Sequence, residues 1–163
     1  IFLTAEQNAE NLARTKLKDE EFQKLAQKYA TAPLVAITKY KEPYDDLNPS
    51  VKVNVRPLGN FTAEKPTAIL EFMAKQLESV FDDFKVVTPP EETKVAGLKA
   101  GYLKIHFSMK IPDGRTFPTC SELWVVPHGK HFFMIGAGTR QDEKTGKRDE
   151  IAKILETIRI EKD

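Results

Sequence analysis

Between about Lys99 and Thr139 the apolar and polar positions alternate as three strands folded back on one another. In Gly101–Ile111 the residues Leu103, Ile105, Phe107, Met109 and Ile111 alternate without a miss against Tyr102, Lys104, His106, Ser108 and Lys110. A period of two is the signature of a strand with one dry face. Pro112-Asp113-Gly114-Arg115 supplies an Asp-Gly turn that returns the chain antiparallel into Thr116–Val126, a segment rich in β-formers around Leu123, Trp124, Val125 and Val126. A second turn at Pro127–Lys130 leads into a third strand, His131–Gly138.

Ahead of this meander the period changes. Thr4-Ala5-Glu6-Gln7 has the spacing of a capping box, followed by Ala9, Leu12 and Ala13 at helical intervals. Asp19 can cap a second helix whose Phe22, Leu25, Ala26 and Tyr29 form a stripe. Pro33 ends it. Leu34–Tyr40 reads as a strand, Lys41–Ser50 as a loop of turn residues, and Val51, Val53 and Val55 as one face of a second strand paired with the first. Pro66 sits where a first helical turn tolerates proline. From Thr67 to Phe84 the residues Ile69, Leu70, Met73, Leu77, Val80, Phe81 and Phe84 make one broad stripe, which predicts a long helix lying on the sheet. Val86 to Pro90 reads as extended, Thr93–Ala96 as a short strand before a turn at Gly97, and Gln141–Arg148 as a charged loop. Asp149 is placed to cap a last helix with Ile151, Ile154, Leu155 and Ile158 inside.

These elements predict one α+β domain over residues 1–163. It has an N-terminal helical segment over 1–32, the 99–139 meander as its centre, and an antiparallel sheet with helices covering both faces, an α/β/α sandwich. The order of hairpin, long helix, meander and closing helix over Pro33–Ile160 resembles the superfamily of PsbP, the extrinsic protein of photosystem II, and the Mog-type proteins that bind the GTPase Ran. The stretches that carry the resemblance are the helix Thr67–Phe84, the run Val95–Ile105, Glu122–Val126 with Phe132–Ile135, and Ile154–Ile158. The resemblance is one of architecture, brings no catalytic signature and assigns no residue a role. It implies a non-enzymatic accessory or protein-interaction module in an exported or periplasmic setting, from a precursor that could be lipid-anchored.

Composition narrows the classes further. Lys+Arg 25 against Asp+Glu 24 leaves a formal charge of +1, without the basic excess of a nucleic-acid-binding domain. No apolar run approaches the roughly 18 residues of a membrane helix. Cys120 is the only cysteine, so no intrachain disulfide can form. No basic and apolar leader precedes Ile1, so a targeting segment is not expected within this chain.

Candidate chemistry is sparse. His128 and His131 are close in sequence, and His106 and Cys120 lie in the same meander, but a zinc site needs three or four converging ligands and no Cys-x-x-Cys or His-Glu-x-x-His spacing is present. Cys120 beside Pro118 shows no neighbour that would activate it as a nucleophile. The pairs Asp45-Asp46 and Asp82-Asp83 fall in a loop and at a helix end, where turn formation and solvation account for them. No phosphate loop is present, and Gly136 and Gly138 mark a bulge or close packing in a strand. The interleaved signs between Arg140 and Arg148 read as a solvated loop.

The expectation is therefore no metal and no cofactor. The surface for a protein partner is expected at Tyr102, Lys104, His106, Ser108 and Lys110, together with Lys39 and Lys41 at the nearby loop entry. The competing reading is a small-ligand binder or enzyme with its site between helix 67–84 and the sheet. A filled core there favours the module, and a cavity with convergent polar groups favours the ligand protein.

Overall fold

The computed structural model describes residues 1–4, 6–7 and 33–161. Among these, six strands form one antiparallel sheet: β1 (Val35–Thr38), β2 (Ser50–Pro57), β3 (Asp82–Val95), β4 (Leu98–Lys110), β5 (Thr116–His128) and β6 (His131–Arg140). Their order in space is β1-β2-β6-β5-β4-β3. Helices α1 (Pro66–Val80), α2 (Glu143–Gly146) and α3 (Arg148–Thr157) complete the α+β fold. The meander β4-β5-β6 is its middle, as the alternation predicts.

Alternation in β4 sorts its side chains between two cores. Leu103, Ile105 and Phe107 lie on one face with Leu123 and Val125 of β5, beneath Ile69 and Leu70 of α1. The other parity faces α3: Ala100, Trp124, Val126, Ile135, Ala137 and Val51 surround Ile151 of α3, with Tyr102, Ile154, Leu155 and Ile158 packed around them. β5 is buried on both sides from Leu123 to Val126, which explains a continuous apolar run in place of alternation. Helices therefore cover both faces of the sheet.

The long helix ends earlier than its apolar stripe. Phe81 is already extended, with φ −103° and ψ 145°, and Asp83 takes a left-handed φ of 54° that turns the chain into β3. Phe84 therefore lies in a strand, although both it and Phe81 pack against the α1-side core. The two faces of a helix end and of a strand start happen to put these rings on the same side, and the sequence period does not separate the cases.

β3 is the second revision. The extended passage and the short Thr93–Ala96 strand are one 14-residue strand. Its pairing with β4 shifts register between Asp82 and Lys85, Val86 and Thr88, and Thr88 and Glu91. Pro89 and Pro90 fit because β3 is an edge strand, where one missing N–H falls on the open side, and because the ladder is interrupted between Thr88 and Glu91, which accommodates the other. Such interruptions also blunt an edge against pairing with another chain.

Two further boundaries move. The charged loop 141–148 contains the short α2, capped by Asp142, which accepts from the Thr145 backbone N–H at 2.8 Å. Asp149 does not cap α3: Lys147, at φ 56°, precedes the helix, and Asp149 is in its first turn, where a negative charge faces the helix dipole favourably. The capping box at Thr4 is formed, with Thr4 N–H donating to Gln7 Oε1 at 2.9 Å and Gln7 N–H donating to Thr4 Oγ1 at 3.2 Å. The rest of the 4–15 helix and the 19–32 helix lie outside the described residues.

Candidate functional site

The polar side of β4 faces α3 and is partly covered. Tyr102, Lys104, His106 and Ser108 are half-buried and Lys110 is exposed. Most of these side chains have partners within the chain. Tyr102 donates its hydroxyl to Glu122 Oε1 at 2.5 Å, and its ring lies 5.2 Å from that of Trp124. Burial, then the bond to Glu122 and that carboxylate's charge, push the Tyr102 hydroxyl far above the ordinary tyrosine range. Ser108 donates to Asp83 Oδ2 at 2.7 Å, and Lys110 pairs with Asp82 Oδ2 at 2.8 Å.

Lys39, just past β1, donates to both oxygens of Glu150 at 2.5 and 2.7 Å and so ties the sheet to α3. Lys41 is exposed in the loop that follows. That loop is anchored elsewhere: Arg115 pairs with Asp45 at 2.8 Å, Arg140 pairs with Asp46, and Tyr40 stacks on Tyr44 at 4.6 Å. The structure thus splits the sequence-predicted set between the β4 lane and the loop entry, with α3 between them. Both aspartate pairs have structural duties, since Asp45, Asp46, Asp82 and Asp83 each engage a named partner.

The cysteine and histidine that sequence leaves unrelated are neighbours. His106 stands directly across from Cys120 in the β4–β5 register, so both side chains rise on the α3 face. Their protonation runs against nucleophilic use. Burial pushes the Cys120 thiol up, as does Glu122, against smaller opposing effects from Lys104, Arg148 and Thr139. His106 is pushed down by burial and then by the charges of Lys104, Arg148 and Lys85. A reactive pair needs a thiolate beside an imidazolium, and this environment favours the neutral form of each.

His128 and His131 pair across the β5–β6 hairpin and close its turn. Among the described residues no group of three His, Cys, Asp or Glu side chains is placed to hold a metal ion.

The layer between α1 and the sheet is filled. Ile69, Leu70, Leu103, Ile105 and Phe107 are each at most 4% exposed, and the Phe81 ring stacks on Phe107 at 4.0 Å. Open space among the described residues lies on the flank. A groove of about 330 Å³ runs between α1 and β3, with Ala74, Phe84, Val86 and Pro90 as apolar lining and Glu71, Lys75 and Glu78 along the helix side. The competing sequence reading places a site between helix 67–84 and the sheet, and the groove lies at that border; its outer wall is not legible in sequence, because the helical stripe takes Phe84 into the helix and the wall formed by β3 exists only once that strand is paired.

Comparison with known proteins shows likeness at the level of fold. No family model and no curated protein matches the sequence. Among solved structures, the chain is similar to the protein of unknown function PA94 from Pseudomonas aeruginosa, at 11% identity with a TM-score of 0.56, over 92% of this chain and 99% of that one. It is also similar to LpqN of Mycobacterium tuberculosis, described as involved in cell envelope biogenesis, at 15% identity and a TM-score of 0.54, over 89% of this chain and 76% of the other. No helix among the described residues is long and apolar enough to cross a membrane.

Proposed function

We propose that this chain is a non-enzymatic protein-interaction module that uses the flank between α1 and β3. The observation that carries this reading is the contrast between the filled α1–sheet layer and the open groove beside it. A catalytic or cofactor site calls for a pocket with a few convergent polar groups. Here the α1–sheet layer holds close-packed Ile, Leu and Phe side chains, while the Cys120 thiol and His106 imidazole are held in their unreactive forms. The groove offers an apolar floor and a charged helix rim, the composition of a site for a short stretch of a partner.

The β4 lane and Lys41 remain a secondary part of the proposed surface, reduced to the side chains without an ion pair among the described residues, Lys104, His106 and Lys41. LpqN, similar in fold, is described as involved in cell envelope biogenesis, and an exported accessory role is what the PsbP- and Mog-type resemblance implies.

Val86→Asp tests the reading. Val86 is 38% exposed and lines the groove, so the variant should fold with a melting temperature close to that of the wild type. A protein that co-purifies with the wild type from its own cells should be lost from the variant. Native mass spectrometry distinguishes the alternative: a stoichiometric small molecule, displaced by Val86→Asp, would replace the module reading with that of a ligand carrier.

A further inference from the structure

A second feature, on the opposite side of the sheet from the groove and independent of its use, is a group of cationic side chains around a nitrogen that has no partner. His106 Nε2 is buried and makes no hydrogen bond. A buried polar atom without a partner costs free energy, and in native structures it calls for an explanation such as a bound water or ion. The surroundings choose between these. Lys85 lies directly across from His106 in the β3–β4 register. Lys104 is two residues along β4 on the same face. Arg148, the first residue of α3, is near enough to act electrostatically on the imidazole, and its Nη1 is fixed by donating to the carbonyls of Arg140 and Gln141 at 2.9 and 3.2 Å.

The acidic groups nearby are engaged elsewhere. Glu122, across from Lys104, accepts from Tyr102. Asp82 and Asp83 hold Lys110 and Ser108. Lys85 and Lys104 make no ion pair among the described residues, and every charged group that acts on His106 there is positive. Lys85 is exposed and Lys104 and Arg148 are half-buried, so the cluster faces solvent near the β3 edge, with the imidazole further in. Three cations beside an imidazole nitrogen without a partner, with Glu122 as the one carboxylate across from Lys104, leave a positive excess that is the complement of an oxyanion, whose oxygens accept charge-assisted hydrogen bonds.

We propose that Lys85, Lys104, Arg148 and the Nε2 of His106 form a binding site for an oxyanion, the carboxylate or phosphate-like group of a ligand. The bound anion supplies the acceptor that Nε2 lacks and offsets the repulsion among the cations. It also weakens the positive field at the imidazole, so occupancy must raise the pKa of His106 by linkage.

Histidine NMR signals provide the test. Wild-type protein is titrated with sodium sulfate, standing for a tetrahedral oxyanion, and separately with sodium acetate, each at constant ionic strength held by sodium chloride. The expected result is a saturable shift of the His106 resonances with at least one of the two, together with a higher His106 pKa at saturation. The two arms show which oxyanion geometry the site takes. Lys85→Gln and Lys104→Gln, both changes at side chains in contact with solvent, should each weaken binding by about tenfold, whereas Lys130→Gln, in the distant β5–β6 turn, should leave it unchanged. Absence of a saturable response to both anions overturns the proposal. So does a response of equal strength in the Lys85 and Lys104 variants, which would mean an adventitious ion only.

Discussion

Gly101 and Leu70 meet with no room for a β-carbon: one added at Gly101 would lie 2.9 Å from Leu70 Cδ1 and 3.1 Å from the carbonyl carbon of Pro66. The first turn of α1 therefore rests directly on the backbone of β4. Gly101→Ala should force α1 outward and destabilise the protein by about 1–3 kcal/mol, the usual cost of overpacking. Gly136→Ala is the comparison, because its nearest obstacle is Leu123 Cδ2 at 3.4 Å, a side chain able to yield. Urea unfolding should show a clearly larger loss for Gly101→Ala; equal losses would mean that the α1 contact is soft.

The parity of β4 predicts a second contrast. Phe107 is 4% exposed and stacks on Phe81, so Phe107→Ala should cost on the order of 3–5 kcal/mol. Lys104, one lane over and without an ion pair among the described residues, should on replacement by Ala change stability by roughly 0.5 kcal/mol or less. Denaturant midpoints of the two variants measure the difference, and similar losses would contradict the assignment of the two faces.

Acid should act through His106. Its folded-state pKa is lowered by burial and then by Lys104, Arg148 and Lys85, whereas in the unfolded chain it titrates near its ordinary value. Between the two pKa values the unfolded chain binds more protons, so stability rises with pH across that window and is lost as pH falls below the unfolded value. Unfolding measured at about pH 7.5 and about pH 5.5 should show a loss for the wild type that is smaller in His106→Gln. His128 and His131 are present in both proteins and cancel. An identical loss in the two proteins would remove His106 from the account.

Cys120 should be a silent thiol. It is 1% exposed, and burial holds it protonated, so its reaction with a thiol reagent should follow the rate of opening of the native structure. Denaturant should accelerate labelling in step with unfolding, and Cys120→Ser should retain partner binding. Rapid labelling of the native protein would show an accessible thiolate and restore the nucleophile reading.

Much of the architecture is legible in local pattern. The alternation of Leu103, Ile105 and Phe107 against Tyr102, Lys104 and His106 identifies β4 and its two faces, because a pleated strand sends successive side chains to opposite sides whatever it pairs with. Pro66 and the stripe from Ile69 to Val80 identify α1, and the Asp-Gly turn at Gly114 joins β4 to β5. Thr4 and Gln7 make the reciprocal bonds their spacing predicts, since those bonds need only residues three apart.

What local pattern leaves open was decided by contacts between distant segments. Phe81 and Phe84 satisfy a helical stripe equally well, and it is the pairing of Asp82–Val95 with β4 that ends α1 at Val80 and makes Pro89-Pro90 part of an edge strand. The α1–β3 groove follows from that pairing and from nothing in the local sequence. In the same way, the chain itself determined that Tyr102, Lys104, His106, Ser108 and Lys110 share one face. Only the tertiary structure assigned Tyr102 to Glu122, placed His106 between Lys85 and Cys120, and brought Arg148 beside it. The physical reason is range: side-chain parity is set within a few residues by backbone geometry, whereas hydrogen-bond partners and electrostatic fields depend on which strands and helices come to lie side by side.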